Sequence, residues 1–585
     1  MIDRHARRAV RPFIDIAVLA LAWSVLSLAV GIPARPDALF TDWHIGLSLE
    51  VAIGLGLLAA WRALGLPRNR VWIALFTAAV VLTATIQLAD MTARAVVARP
   101  LNIVLDITLI PALFDVMQTT LGGWRATGAI IAIIALIVLS AFLVYKLLHL
   151  TDRRMGNPAA RVGAGVIVLV AAGLTAGQHS AGALIAGYHP MNTGGMRAWE
   201  IQIDKFAENQ RRRAAFLQAA TEDPLNGWRP GNGSTPPEAS LFDRLNGADV
   251  LLIYIESYGR SAVEDPLYAD TVRPVLERLD ARFTDAGLSS RSGWMTAPMV
   301  GGQSWLAHAT MLSGLWINDQ AFFHLFVAEP RLTLVDMFNR AGYRTAAYMP
   351  AITLPWPEGR RYDFDRIYEV RDMDYAGPKW YWGTIPDQWV LDFLERGERQ
   401  RPAEGDRAPL FVKAALISSH APWLPTPEVV PWETLGDGEI YDQWAGQGDP
   451  PHVVWRDQDR IQQKYRESVA YSIEAVGDYV ANFADDETLV IFLGDHQPAT
   501  LITGLDAGFD VPVHVVSGDR NLVDAFADLD FRPGLIPAAD ATPHRMDIFR
   551  NWMVQAYSSL PESVEDGLVS ETEAESTAPA ISPDS

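Results

Sequence analysis

Glu487-Thr488-Leu489-Val490-Ile491-Phe492-Leu493-Gly494-Asp495-His496 is a short apolar run that ends on a carboxylate and an imidazole. A run of that length, rich in branched and aromatic side chains and closed by glycine, reads as a buried strand. Asp249-Val250-Leu251-Leu252-Ile253-Tyr254-Ile255 reads the same way and delivers Glu256 at its end. Working outward, apolar runs at Val250–Ile255, Arg344–Tyr348, Leu410–Ile417, Leu489–Leu493 and Val511–Val516 alternate with helical patterns at Val275–Ala286, Leu332–Ala341 and Asp457–Phe483. Alternation of this kind predicts an α/β sandwich, a largely parallel sheet between helices.

The first third of the chain is different in kind. Five apolar stretches approach the roughly 20 residues that a helix needs to cross a bilayer: Pro12–Ile32, His44–Leu64, Val71–Ala89, Thr127–Leu148 and Val162–Gly182. Leu101–Met117 is also apolar, but Asp106, Pro111 and Asp115 interrupt it, so it is read as interfacial or re-entrant. Counting it as a span would reverse the side of everything that follows. Basic residues cluster before the first span (Arg4, Arg7, Arg8, Arg11), between the second and third (Arg62, Arg68, Arg70) and between the fourth and fifth (Lys146, Arg153, Arg154, Arg161). The intervening loops carry fewer. The positive-inside rule then predicts a multi-pass membrane protein with its N-terminus in the cytoplasm and the α/β domain outside. No convincing cleavage site follows the first span, which reads as an uncleaved signal anchor.

The expected domains are a five-helix membrane domain at 1–185, a juxtamembrane helix and linker at 186–247, the catalytic α/β domain at 248–558 and a disordered acidic tail at 559–585. Met196–Ala220 has helical spacing, with Arg211, Arg212 and Arg213 on it. It lies either along the membrane surface or against the globular domain. Asn226–Glu238 is a loop by composition. A net charge of −21 argues against a nucleic-acid partner, and the absence of cysteine excludes disulfides and thiolate metal sites.

The chemistry gathers at strand ends, where open α/β sheets bind ligands. Glu256, Asp495 and His496 all fall there. Ser304 follows Gly301-Gly302-Gln303 and opens a helical run, Trp305–Leu315. Backbone amides at a helix start favour a phosphate. A cation beside the serine would favour its alkoxide. A hydroxyl, two carboxylates and an imidazole can surround one divalent metal: manganese or magnesium by the oxygen-rich set, with zinc as a further option. His420, in Ser418-Ser419-His420-Ala421-Pro422-Trp423, follows another strand and could protonate a leaving alkoxide or bind the phosphate. Arg360, in Leu354-Pro355-Trp356-Pro357-Glu358-Gly359-Arg360, could grip a headgroup. Plainer readings stand beside these. Asp495-His496 could be a solvated turn, Ser304 and Asp387 helix caps, His420 a structural histidine, Trp356 core, and Arg360 half of a solvated pair.

On Ile255-Glu256-Ser257-Tyr258-Gly259, Ser304–Gly314, Ser419-His420-Ala421-Pro422-Trp423, Tyr465–Asp478 and Gly494-Asp495-His496, the sequence resembles the alkaline phosphatase/sulfatase superfamily. Within it, the chain is similar to the membrane-anchored phosphoglycerol transferases of the lipoteichoic acid synthase and glucan phosphoglycerol transferase group. The resemblance implies a domain of alkaline phosphatase/sulfatase-like fold. It makes Glu256, Ser304, Asp495 and His496 ligands of one divalent metal, manganese first, with Ser304 also the nucleophile. It places His420, Trp356 and Arg360 in the substrate pocket; His420 is also expected to be catalytic and His308 to bind substrate. It also implies a phospholipid donor, phosphatidylglycerol, and a glycan or lipid acceptor. Departures narrow the comparison. Sulfatases need proline two residues and arginine four residues after the nucleophile, where this chain has Leu306 and His308, so sulfate hydrolysis is not expected. Phosphoethanolamine transferases usually carry several disulfides, which this chain cannot form. The lipoteichoic group uses threonine where this chain has Ser304.

Overall fold

A computed structural model of the chain describes residues 2–34, 47–67, 70–97, 99–107, 110, 113–114, 117–118, 122–181, 191–223, 225, 241–329, 331–380, 385–400, 407–504, 506–560 and 568. It divides into two compact units, with the boundary at Arg212 and Arg213. The predicted loop Asn226–Glu238 lies outside the described residues, as does the acidic tail apart from its first residues and Leu568.

The first unit holds helices α1 (Ile2–Ala29), α2 (Leu49–Ala63), α3 (Arg70–Val97), α4 (Gly123–Arg154) and α5 (Pro158–Ala181), and the start of α6 (Gly194–Thr221). Among the described residues, four helices are long and apolar enough to cross a membrane: α1, α3, α4 and α5. The expected second span, His44–Leu64, is corrected to a helix of 15 residues. At 1.5 Å per residue it covers about 22 Å, short of a ~30 Å hydrocarbon core. Its start is fixed by Ser48, whose Oγ accepts the N–H of Val51 at 3.2 Å, and by Glu50 in the first turn. Of Leu101–Met117, the described part includes one short helix, Ile103–Asp106, beside an ion pair from Arg99 to Asp106.

Polar contacts fix the sense of these helices. Asp15 on α1 accepts from Arg154 at the end of α4 (2.9 Å) and from Asn157 at the start of α5 (2.7 Å). Arg62, at the end of α2, lies 3.8 Å from Asp152 of α4. Away from that basic end, Trp23 Nε1 donates to Ser48 O at 2.8 Å and Gln87 Nε2 to Val30 O at 2.9 Å. There too Glu50 accepts the N–H of Met196 at the start of α6. The five segments therefore alternate in direction, α2 included, and α6 leaves from the end opposite the basic cluster.

The second unit is built on a nine-stranded sheet. In chain order its elements are β1 (Asp249–Ile255), α7 (Pro266–Asp285), β2 (Ser289–Thr296), α8 (Ser304–Ser313), α9 (Leu334–Arg340), β3 (Arg344–Met349), β4 (Arg366–Glu369), α10 (Asp387–Leu394), β5 (Leu410–Ala415), α11 (Gln458–Phe483), β6 (Thr488–Gly494), β7 (Asp510–Ser517), β8 (Arg532–Pro533), β9 (His544–Arg545) and α12 (Ile548–Tyr557). The order across the sheet is β8-β2-β7-β6-β1-β5-β3-β4, with β9 also on β2. From β6 to β4 every neighbour is parallel, whereas β7, β2 and β8 pair antiparallel. The period of two in β1 explains the layers. Val250, Leu252 and Tyr254 face a core shared with α8, α9 and α12, and Leu251, Ile253 and Ile255 face one shared with α7, α10 and α11. All five predicted strands are present, and β1 lies at the centre with β6 and β5 on its flanks. Their carboxyl ends carry Glu256, Asp495 and His420 onto one edge.

Candidate active site

Glu256 is the first residue past β1. Ser257 follows in the left-handed region (φ 57°), which doubles the chain back. Its N–H donates to Asp495 Oδ1 at 2.8 Å, and its hydroxyl donates to Glu256 Oε1 at 2.9 Å. Gly494 closes β6 where a Cβ would stand 1.7 Å from Tyr258 O, so glycine alone lets the two strand ends approach this closely. Asp495 Oδ1 also accepts the N–H of His496. The Nδ1 of His496 lies 2.8 Å from Gln497 O, an acceptor only, so Nδ1 carries a proton and Nε2 is the nitrogen turned to the cluster.

Ser304 arrives from the other side. Gly301, Gly302 and Gln303 have φ of 78°, 134° and 66°, three successive positive values that swing the chain into α8. Gly301 N–H donates to Gln497 O at 2.9 Å and ties this turn to the His496 loop. The hydroxyl of Ser304, at the first position of α8, donates to Glu256 Oε2 at 2.9 Å and lies 3.3 Å from His496 Nε2. His496 Nε2 is 3.2 Å from Glu256 Oε1 and 3.7 Å from Asp495 Oδ1. Such spacing is what donors about 2.1 Å from a common cation leave between one another.

Charge supports the same fit. Glu256, Asp495 and His496 are all buried, with ligand atoms within 4.8 Å of one another. Burial, followed by the neighbouring Glu256 carboxylate, pushes Asp495 up to about 7. Burial opposes the charge on His496 too, but Asp495 and Glu256 outweigh it and raise the imidazole to about 9. Burial likewise works against the Glu256 carboxylate, and the charge of His496 overcomes it and holds Glu256 below its usual range. Two buried carboxylates so close require a positive charge between them. A divalent cation fits that requirement, with two carboxylates, one imidazole nitrogen and one hydroxyl as donors.

The other sequence candidates divide. His420 sits in the loop after β5, half-buried, with Nδ1 2.6 Å from Ala421 O, and its charge acts on Glu256. Ser419 beside it donates to Glu256 O at 2.6 Å, so this loop is pinned to the metal-ligand candidate. His308 is one turn along α8 from Ser304 but only 5 % exposed, with Nδ1 3.1 Å from Lys413 Nζ and its ring 4.2 Å from that of Tyr254. It is a buried neighbour of the cluster and not part of an open rim. Trp356 packs against the core 5.9 Å from Tyr362. Arg360 is exposed, whereas Arg361 takes the structural role, donating to Phe326 O and lying over the Phe326 ring. Sequence reasoning missed Lys413. Its signal was a single charge inside the apolar strand Leu410-Phe411-Val412-Lys413-Ala414-Ala415. Its ammonium, 3 % exposed, meets His308 and the Met349 sulfur, and burial pushes it down to about 7.

Residues 249–510 match the Sulfatase family. No curated protein sequence matches the chain. Among solved structures, it is similar to the lipooligosaccharide phosphoethanolamine transferase A (EptA) of Neisseria meningitidis. The identity there is 13 % and the TM-score 0.44, covering 94 % of this chain and 96 % of that one. It is also similar to the phosphoglycerol transferase GacH of Streptococcus pyogenes at 13 % identity and TM-score 0.37, over 60 % and 84 % of the two chains. A third likeness is to the lipoteichoic acid synthase LtaP of Listeria monocytogenes at 11 % identity and TM-score 0.34, over 54 % and 74 %. The chain thus carries, over residues 249–510, a domain matching the Sulfatase family of the alkaline phosphatase superfamily.

Proposed function

We propose that this protein is a membrane-anchored, metal-dependent transferase. It moves a phosphoglycerol headgroup from a phospholipid, phosphatidylglycerol, to an extracytoplasmic glycan or lipid through a phospho-serine. The observation that carries this reading is the convergence of Glu256, Ser304, Asp495 and His496, with Ser304 Oγ at the start of α8. Glu256, Ser304, Asp495 and His496 would hold the cation, manganese first, with magnesium or zinc as alternatives. Bound there, it would favour the serine alkoxide and offset phosphoryl charge.

The chain's own residues supply the rest. Ser304 Oγ bonds to phosphorus as the lipid's diacylglycerol oxygen leaves. The α8 amides receive the phosphoryl oxygens. His420, with Nδ1 engaged by Ala421 O, gives its proton to that leaving oxygen and later takes one from the incoming alcohol. The acceptor alkoxide then displaces Ser304, which leaves as the alkoxide, the form in which it attacked, so the single proton His420 gives and regains closes the cycle. Trp356, Arg360 and His308 are proposed to shape the headgroup pocket, His308 from beneath. Leu306 and His308, where sulfatases need proline and arginine, point from sulfate to phosphate.

The domain limits proposed above go with this activity: membrane domain to 185, linker to 247, catalytic domain to 558 and tail to 585. An odd number of crossings would set the catalytic domain outside the bacterial cytoplasmic membrane, next to lipid headgroups. The test is release of diacylglycerol from labelled phosphatidylglycerol by the full chain in vesicles. Ser304→Ala should abolish it, and retained turnover would remove Ser304 as nucleophile. The parallel assay with phosphatidylethanolamine reads the headgroup. Free glycerol phosphate without any modified acceptor would replace the transferase by a phosphodiesterase.

A further inference from the structure

Asp387 opens α10, and from sequence it reads as a helix cap. The structure gives its carboxylate other work. A capping side chain bonds the free N–H groups of its own helix, and Asp387 bonds none of them. Its Oδ1 accepts the N–H of Ile417 and of Ser418, both at 2.9 Å, and its Oδ2 accepts the hydroxyl of Ser472 on α11 at 2.6 Å. Its own N–H donates to Ser418 Oγ at 2.9 Å. The residue is fully buried. A carboxylate hidden from water is costly to keep, and one that accepts three hydrogen bonds from two other elements is a clamp.

What it clamps is the segment that bears His420. Ile417 and Ser418 are the last residues before Ser419 and His420. His420 N–H donates to Ile417 O at 3.0 Å, Trp423 Nε1 donates to Ser419 O at 2.9 Å, and Ser419 Oγ donates to Glu256 O at 2.6 Å. The anchor therefore runs from α11 through Asp387 to the start of the loop, and from the loop to the backbone of Glu256. The position of the His420 ring relative to the cluster depends on that chain of contacts.

We propose that Asp387 is the positioning residue for His420: by clamping Ile417 and Ser418 it sets the imidazole at the oxygen leaving phosphorus. This rests on the reading of His420 as proton donor. Asp387 itself touches no substrate.

Leaving-group dependence tests it, because a positioned acid matters where the leaving oxygen needs a proton and matters little where it does not. The full chain in detergent is assayed on phosphatidylglycerol, which releases an aliphatic alcohol, and on bis(p-nitrophenyl) phosphate, which releases a stabilised phenolate. His420→Ala should lose about 10²- to 10⁴-fold in kcat on the lipid and far less on the nitrophenyl ester. Asp387→Ala should repeat that selective loss with bound metal unchanged. Asp387→Asn, which keeps an acceptor for Ile417 and Ser418, should recover part of the lipid kcat, and it carries the test if the alanine variant does not fold. If His420→Ala is selective while the Asp387 variants weaken both substrates equally or neither, the positioning role falls and the acid assignment stands. If His420→Ala is itself unselective, the acid assignment falls and takes this inference with it.

Discussion

Lys413 is the side chain whose burial most needs a reason. It lies under the cluster with an imidazole nitrogen and a thioether as its hydrogen-bond partners, and an ammonium in such company is expensive. Its folded-state pKa, about 7, lies below the ordinary 10.5. Below pH 7 both folded and unfolded chains carry the proton, so the full burial penalty applies. Between 7 and 10.5 the unfolded chain binds more protons, so this group makes the fold more stable as pH rises. Lys413→Met should therefore raise stability at pH 6 to 7, by on the order of a few kcal/mol, with the gain fading towards pH 10.5, while turnover falls. Thermal unfolding across that pH range checks it, and a variant less stable than the parent at every pH would refute it. Such a trade of stability for activity is the mark of a functional residue. The same residue shows where sequence reading stops. Glu256, Asp495, His496 and Ser304 were legible because each follows a recognisable strand or glycine turn. Lys413 and the clamp of Asp387 depend on which strands become neighbours, and no local pattern carries that.

At the scale of elements, the turn into α8 is the most exacting piece. Gly302 has φ 134°, and a Cβ added there would meet nothing within 4 Å. Substitution is therefore a conformational problem and not a steric one, with a strain of about 1–3 kcal/mol. Gly302→Ala should lower kcat at least tenfold by rotating Ser304 away from Glu256, with only a modest fall in melting temperature. Full activity in that variant would show that the turn tolerates another path. The far end of α8 is held as firmly. Arg331 and Arg550, both buried, donate to Ser313 O at 2.7 Å each, where positive charge suits a helix C-terminus, and Asp223 pairs with Arg550 at 2.6 Å. The parallel strands β1 and β6 were easy to read because they are apolar runs, whereas the parallel edge strand β4, Arg366-Ile367-Tyr368-Glu369, was not predicted. Nor was β2, since Ser289-Ser290-Arg291-Ser292 looks like a loop and is a strand because β7 pairs antiparallel along it and β8 pairs antiparallel at Arg291 and Ser292. The glycines of the α8 turn were visible in sequence, but their succession of positive φ, carried on into Gln303, was not.

For the whole molecule, the side of the catalytic unit turns on α2. Counted by length it is not a span, and four crossings would return the catalytic domain to the side of the N-terminus. The contacts of α2 give its direction. Its end meets the basic cluster through Arg62 and Asp152, and its start meets Trp23 and Ser27 well along α1, so it runs antiparallel to α1. A short helix flanked by an arginine can still connect the two faces where neighbouring helices and a thinned bilayer cover its ends. Arg62 and Arg154 then share one end of the first unit with Asp15 of α1, the arrangement the positive-inside rule expects of cytoplasmic residues. The absence of cysteine makes a clean test available, because any introduced thiol is the sole reporter. Ala445→Cys, exposed in the catalytic unit, should react with an impermeant maleimide on intact spheroplasts. Ala63→Cys, at the end of α2, should react only after the membrane is opened. Protection of Cys at position 445 until lysis would place the catalytic unit in the cytoplasm, away from any extracytoplasmic acceptor, and the proposed transfer would fall with it.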